Sequence, residues 1–227
     1  MSNNLYNDLI HFYHPDLFEY KCCGGLIPIH EYETNATVKM VEMCYHGKLL
    51  SIKNNLLREC HNIYKDNQNN LPELKHDCDG IFFLTKGEQK YFVLIELKSK
   101  YTKDNIEKAE RQLAASYIRV LSRMSCLKDF DISKYKVCGI IVSHYPSTAE
   151  LSKANKKRHT RQTLDRYERQ MMAFRENAIP FELSHLFVRT NQLPIREDLL
   201  FNTLPIFHIN SYGSSVKFDL DTILSKL

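Results

Sequence analysis

Glycine and proline number only seven each in 227 residues, so no flexible linker divides the chain, and the length suits one domain, 1–227. Apolar runs stop at about five residues, too short to cross a bilayer. The N-terminus MSNNLYNDLIHFYHP has neither a basic n-region nor an apolar h-region, so neither secretion nor membrane insertion is expected. CxxC pairs are lacking and the ten histidines form no HxH pair, which removes common structural zinc patterns. Seven cysteines, odd in number and scattered at 22, 23, 44, 60, 78, 126 and 138, predict free thiols in a reducing cytoplasm. No Gly-rich phosphate loop is present, so ATP hydrolysis by this chain alone is not expected, and no nucleophile elbow supports a serine hydrolase.

What is present is concentrated around Asp77-Cys78-Asp79-Gly80 and Glu96-Leu97-Lys98. Residues 81–85 (IFFLT) and 91–97 (YFVLIEL) are β-branched and aromatic runs separated by Lys86-Gly87-Glu88-Gln89, which reads as an antiparallel hairpin. A turn centred on Gly87-Glu88 sets Asp79 across from Glu96 and Asp77 across from Lys98, with Glu96 and Lys98 on one strand face. A two- or four-residue loop keeps this register and a three-residue loop breaks it. Tyr91 to Ile95 is continuously apolar, as in a strand buried on both faces. Two carboxylates facing each other at the end of such a hairpin repel and call for a cation, whereas a solvated hairpin end is the plain alternative.

Asp79, one hairpin, then Glu96-x-Lys98 resembles the PD-(D/E)xK nuclease motif, with Cys78 where that pattern often has Pro. The resemblance covers residues 36–145 and implies an α/β fold, a central mixed β-sheet flanked by helices with a restriction-endonuclease-like core. Residues 146–227 then form a C-terminal elaboration. It implies that Asp79, Glu96 and the backbone carbonyl of Leu97 hold Mg²⁺ or Mn²⁺, and that Lys98 orients the attacking water. Hard oxygen donors suit those ions. In the RecB-type branch a helix Gln also holds the site, and Gln112 is its counterpart here. An exposed helix Gln is the alternative, and Tyr117, spaced one residue too wide for the downstream Tyr, is expected in the core. Some relatives use a first-helix Glu, which makes Glu42 a further candidate ligand beside the alternative of a boundary salt bridge. Asp77 and Glu73 would substitute if the register differs.

Elsewhere, periodicity predicts one long amphipathic helix over 36–63 from Val38, Val41, Tyr45, Leu49, Ile52, Leu56, Cys60 and Ile63. Residues 1–35 read as irregular. Asp104 is expected to cap a helix reaching Met124, with Leu113, Tyr117, Val120, Leu121 and Met124 buried. A strand follows over 135–143, a helix over 161–176, an extended stretch over 181–190, and short strands with a terminal turn at the end. The strands on either side of helix 104–124 suit a parallel crossover connection.

The chain has 31 basic and 27 acidic residues, net +4, and segment 153–169 alone is +5. Lys153, Lys156, Lys157, Arg158 and Arg161 are therefore candidate phosphate-backbone contacts, or else a solvated helix face. The expected function is a metal-dependent nuclease, acting on DNA rather than RNA, controlled by self-association (a homodimer) or by a protein partner such as a helicase or ATPase. The resemblance suggests a restriction, repair or antiviral setting. A non-catalytic nucleic-acid- or protein-binding subunit that keeps the fold is the competing hypothesis.

Overall fold

The computed structural model describes residues 2–32, 34–58, 74, 77–175, 181–184, 203–211 and 215–227. Helix α1 (Ser2–Phe12) leads into β1 (Phe18–Lys21), β2 (Gly25–His30), β3 (Met40–Tyr45), β4 (Lys48–Ile52) and the single turn α2 (Asn55–Arg58). The hairpin β5 (Gly80–Lys86) and β6 (Gln89–Lys98) follows, then α3 (Lys103–Met124), β7 (Lys136–Ser143), α4 (Thr148–His159) and α5 (Arg166–Arg175). The chain finishes with β8 (Phe181–Ser184), β9 (Thr203–Asn210), β10 (Ser215–Asp219) and α6 (Leu220–Leu224).

Seven strands form a mixed sheet in the order β1-β4-β5-β6-β7-β9-β8, and a second sheet has the order β10-β3-β2. The neighbours from β1 to β6 are antiparallel, whereas β6, β7 and β9 run parallel. Helix α3 joins the parallel pair β6 and β7 and packs against them, as a crossover must. The class is therefore α/β, with a mixed sheet flanked by helices.

Each face of the large sheet has its own core. Phe92 and Leu94 on one face pack with Leu113, Tyr117, Val120 and Leu121 of α3 and with Met171 of α5. Val93, Ile95 and Leu97 on the other pack with Ile27, Ile29, Val41 and Met43 of the small sheet and with Leu220 of α6. Strand β6 is thus apolar on both sides, which explains its unbroken hydrophobic run.

Several expectations need correction. The long helix over 36–63 is replaced by β3, β4 and α2, and its last residues, including Cys60 and Ile63, lie outside those described. Val41, Met43 and Tyr45 are fully buried and alternate with Glu42 and Cys44, a period of two that the three-and-four reading overlooked. Gly47 then turns the chain with φ +113°, and an added Cβ would lie 2.4 Å from the Thr85 carbonyl oxygen. Residues 1–35 are not irregular, since α1, β1 and β2 fall there. Thr102 caps α3, accepting from the Asn105 N–H, while Asp104 sits in the first turn. The helix expected over 161–176 begins only at Arg166, and α4 precedes it, capped by a reciprocal Ser147–Glu150 box.

Candidate functional site

The hairpin has the register that its sequence demands. Pairs run from Lys86↔Gln89 to Gly80↔Ile95, closed by a two-residue loop whose first residue, Gly87, has φ +59°. The next step places Asp79 at Glu96. There the chain bends, and the Asp79 carboxylate takes over from the ladder, its Oδ2 accepting the Leu97 N–H at 2.7 Å. Leu97, expected to offer its carbonyl to a metal, meets Asp79 through this N–H.

Glu96 is 1% exposed and Lys98 7%, and Lys98 Nζ donates to Glu96 Oε1. The other oxygen, Glu96 Oε2, is buried with no hydrogen-bond partner among the described residues. Burial pushes the Glu96 carboxyl well above the ordinary range, the Asp79 charge adds to this, and Lys98 only partly offsets it. Burial works against the Lys98 ammonium, but Glu96, then Asp79 and Glu31, outweigh it and keep the lysine protonated.

Helix α3 holds the segment that presents Asp79. Three side chains at helical spacing face it. Gln112 Nε2 donates to the Asp77 carbonyl at 3.0 Å, Ser116 Oγ accepts the Cys78 N–H at 2.8 Å, and Arg119 donates to the Asp77 carboxylate and to the Leu57 carbonyl. Cys78 is buried, and burial raises its thiol well above the usual value, so it stays neutral. Gln112 is not an exposed helix residue but a buried one, and its Oε1 has no partner among the described residues. Tyr117 is core, as expected, stacked on Phe92 with ring centres 5.8 Å apart. Asp77, the fallback ligand, is committed to Arg119, and Glu73 lies outside the described residues.

Glu42 sits mid-strand in β3, paired with Pro28 and Lys217, on the face opposite buried Val41 and Met43. The structure does not bring it to Glu96. The carboxylate that sequence reasoning missed is Glu31. Its N–H donates to the Lys39 carbonyl at 3.0 Å, extending the β2–β3 ladder by one step, and its charge acts on both Glu96 and Lys98. Thr37 pins this connection over the end of β6 by donating its N–H to Ser99 Oγ at 2.8 Å. The signal was the alternation Ile27, Ile29, Glu31, with an acid at the next inward position.

The basic segment occupies α4, the turn after it and the start of α5. Lys153, Lys156, Arg158 and Arg161 are exposed, but Lys157 pairs with Glu168 at 2.6 Å and Arg166 with buried Glu110 at 2.8 Å. Two of its seven positive charges therefore hold α5 in place. A separate group that could hold a metal, His46, Asp219 and Asp221, arises where β10 joins β3 beside the Gly47 turn. Lys86 already lies 3.0 Å from Asp221 and His46 2.5 Å from it. Ser143 Oγ and His208 Nε2 are 2.8 Å apart, but burial pushes His208 down to about 3, too weak a base to activate a serine at neutral pH.

Compared with known proteins, the chain matches no family model, no curated protein and no solved structure.

Proposed function

We propose that the chain is a metal-dependent nuclease of PD-(D/E)xK type, with β4 to β6, α3 and β7 as its restriction-endonuclease-like core and DNA as its substrate. The observation that carries this reading is the buried Glu96 carboxylate, one oxygen on Lys98 and the other without a partner, beside the charge of Asp79. A structural ion pair gains nothing from an orphaned oxygen and a second acid next to it. The charges of Asp79 and Glu31 both act on Glu96, so negative charge gathers at this end of β6 once Glu96 ionises, a setting that suits a divalent cation.

The donor set fits Mg²⁺ or Mn²⁺, since its side-chain donors are all hard oxygens. Asp79 and Glu96 would hold the ion, with Glu31 contributing through its charge. When bound, such a cation supplies positive charge to the phosphate oxygens and favours deprotonation of a water. Glu96 would give up its proton as the ion arrives. Lys98, anchored by Glu96 Oε1, keeps its proton on Nζ and places a positive charge where charge builds up on the phosphate. Gln112, Ser116 and Arg119 act on residues 77 and 78 and so position Asp79.

The near-closure of Glu96 and Lys98 to solvent favours control by a partner or by self-association, which would open the site. The same closure is what favours the second reading, a nuclease-like subunit that binds without cutting. The free cysteines among the described residues suit a reducing cytoplasm, and no described helix is long and apolar enough to cross a membrane. Incubating the protein with plasmid, linear DNA and RNA in Mg²⁺, Mn²⁺ or EDTA tests the reading. Cleavage that needs a divalent ion and vanishes in Glu96→Ala is expected. Cleavage unchanged by EDTA or by Glu96→Ala, or no stabilisation of the wild type by either ion together with no cleavage, would overturn it.

A further inference from the structure

A groove of about 610 Å³ runs between the open edge of β2 and the ends of β4 and β5, and Asp79 lies in its wall. Its chemistry is uneven along its length. Lys53 and Arg58 are exposed on the β4–α2 side, whereas Glu19 and Lys21 cancel each other at 3.2 Å. On the β2 side stands Tyr32, 77% exposed, its ring 6.2 Å from that of His30. Asn54 ties the β4–α2 side to the segment bearing Asp79 by donating to the Cys78 carbonyl at 3.1 Å, one residue before Asp79.

Two features select the occupant. A basic wall opposite an exposed aromatic is the arrangement that tracks a phosphate backbone while offering a face on which a base can stack. A peptide strand is a poorer fit, because Pro28 in the middle of β2 has no N–H to give an added strand. We propose that this groove is the entry path for a single strand of nucleic acid, with its phosphates on Lys53 and Arg58 and a base against Tyr32. This assignment rests on the nuclease reading for its direction, since Asp79 lies in the groove wall. It gives the substrate-gripping role to residues other than the basic segment of α4.

The test uses the full chain, a fluorescent oligothymidylate and a duplex of the same length, with Ca²⁺ in place of Mg²⁺ and a series of salt concentrations. All three substituted side chains are exposed, so the variants should fold, and circular dichroism checks this. In Lys53→Gln/Arg58→Gln the oligothymidylate should bind more weakly, with a salt slope flatter by about 1.4, two phosphate contacts at about 0.7 each. In Tyr32→Ala binding should weaken roughly tenfold with the slope unchanged. The duplex should bind less tightly than the single strand and be insensitive to Tyr32→Ala. Wild-type affinity in both variants, or a duplex bound as tightly as the single strand, would overturn the assignment. A parallel cleavage assay in Mg²⁺ separates the two ideas. Cleavage retained at wild-type rates in both variants sinks the groove and spares the nuclease. Binding that follows the groove residues, with cleavage that EDTA leaves unchanged, supports the groove and sinks the nuclease.

Discussion

Lys98 reaches back along its own strand to Glu96, two residues earlier, and both charges are buried at the edge of an apolar core. The site is far drier than the solvated hairpin end that stood as the plain alternative. That changes what substitution should do.

Ionised Glu96 is a cost to the metal-free fold. Its carboxyl is raised by burial and by Asp79, so the folded chain holds that proton more tightly than the unfolded one. The contribution is fully present below the unfolded value, about 4.3, and is lost as pH rises through the folded value. Wild-type Tm without metal should therefore fall relative to Glu96→Gln as pH rises above the ordinary carboxylate range. Parallel curves from acid to neutral pH would contradict this.

Divalent ions should reverse the order. A ligand at a hundredfold excess over its Kd stabilises by about 2.7 kcal/mol. Thermal melts with and without Mg²⁺ should show this gain in wild type and little of it in Glu96→Ala. An equal gain in both would place the ion elsewhere, with the His46, Asp219 and Asp221 group the first site to examine.

Lys98→Ala should abolish cleavage and also destabilise the protein at neutral pH. Removing one partner of a buried pair costs about 3–5 kcal/mol, because the remaining charge has no compensation. Urea unfolding of Lys98→Ala and of Lys98→Ala/Glu96→Gln checks this. The second substitution should restore much of the stability but none of the activity.

The clasp of α3 on residues 77 and 78 predicts a division of effects. Arg119→Met removes the guanidinium paired with the buried Asp77 carboxylate and should cost about 3–5 kcal/mol, read as a lower urea midpoint. Gln112→Ala removes one hydrogen bond, worth about 1 kcal/mol, yet should lower the cleavage rate several-fold by loosening Asp79. A rate loss no larger than the stability loss explains would reduce Gln112 to a structural role.

Within the basic segment, Lys153→Gln/Lys156→Gln/Arg161→Gln removes exposed charge, while Lys157→Gln breaks the contact with Glu168. If α4 touches phosphate, the triple variant should flatten the salt dependence of DNA binding by more than one unit. Lys157→Gln should act on the melting temperature instead. An unchanged slope in the triple variant leaves α4 as a solvated face.

The hairpin was readable because its register depends on local chemistry alone, a glycine in a two-residue loop and apolar residues in consecutive positions. The stripe of α3 was readable for the same reason. Residues 40–52 were not, since apolar positions 38, 41, 45, 49 and 52 satisfy a helical period, and the partner strands β1, β2, β5 and β10 decide for extended chain. Glu31 escaped because β2 itself was read as irregular. Arg119 with Asp77, and His46 with Asp219 and Asp221, join residues far apart in the chain and leave no trace in spacing.

The parallel pairing of β10 with β3 has a consequence for synthesis. Ser215 lies opposite Met40, so the small sheet beside Glu31 gains its third strand only after residues 215–219 are made, some 175 residues after β3. The β5–β6 hairpin and α3 can dock much earlier, from contacts between near neighbours. A ribosome-bound or truncated chain without residues 215–219 would thus hold Asp79, Glu96 and Lys98 but lack the finished arm over the end of β6. On the nuclease reading, the sheet beside the acid cluster is complete only once residues 215–219 have joined β3, a safeguard that acts before any partner is met.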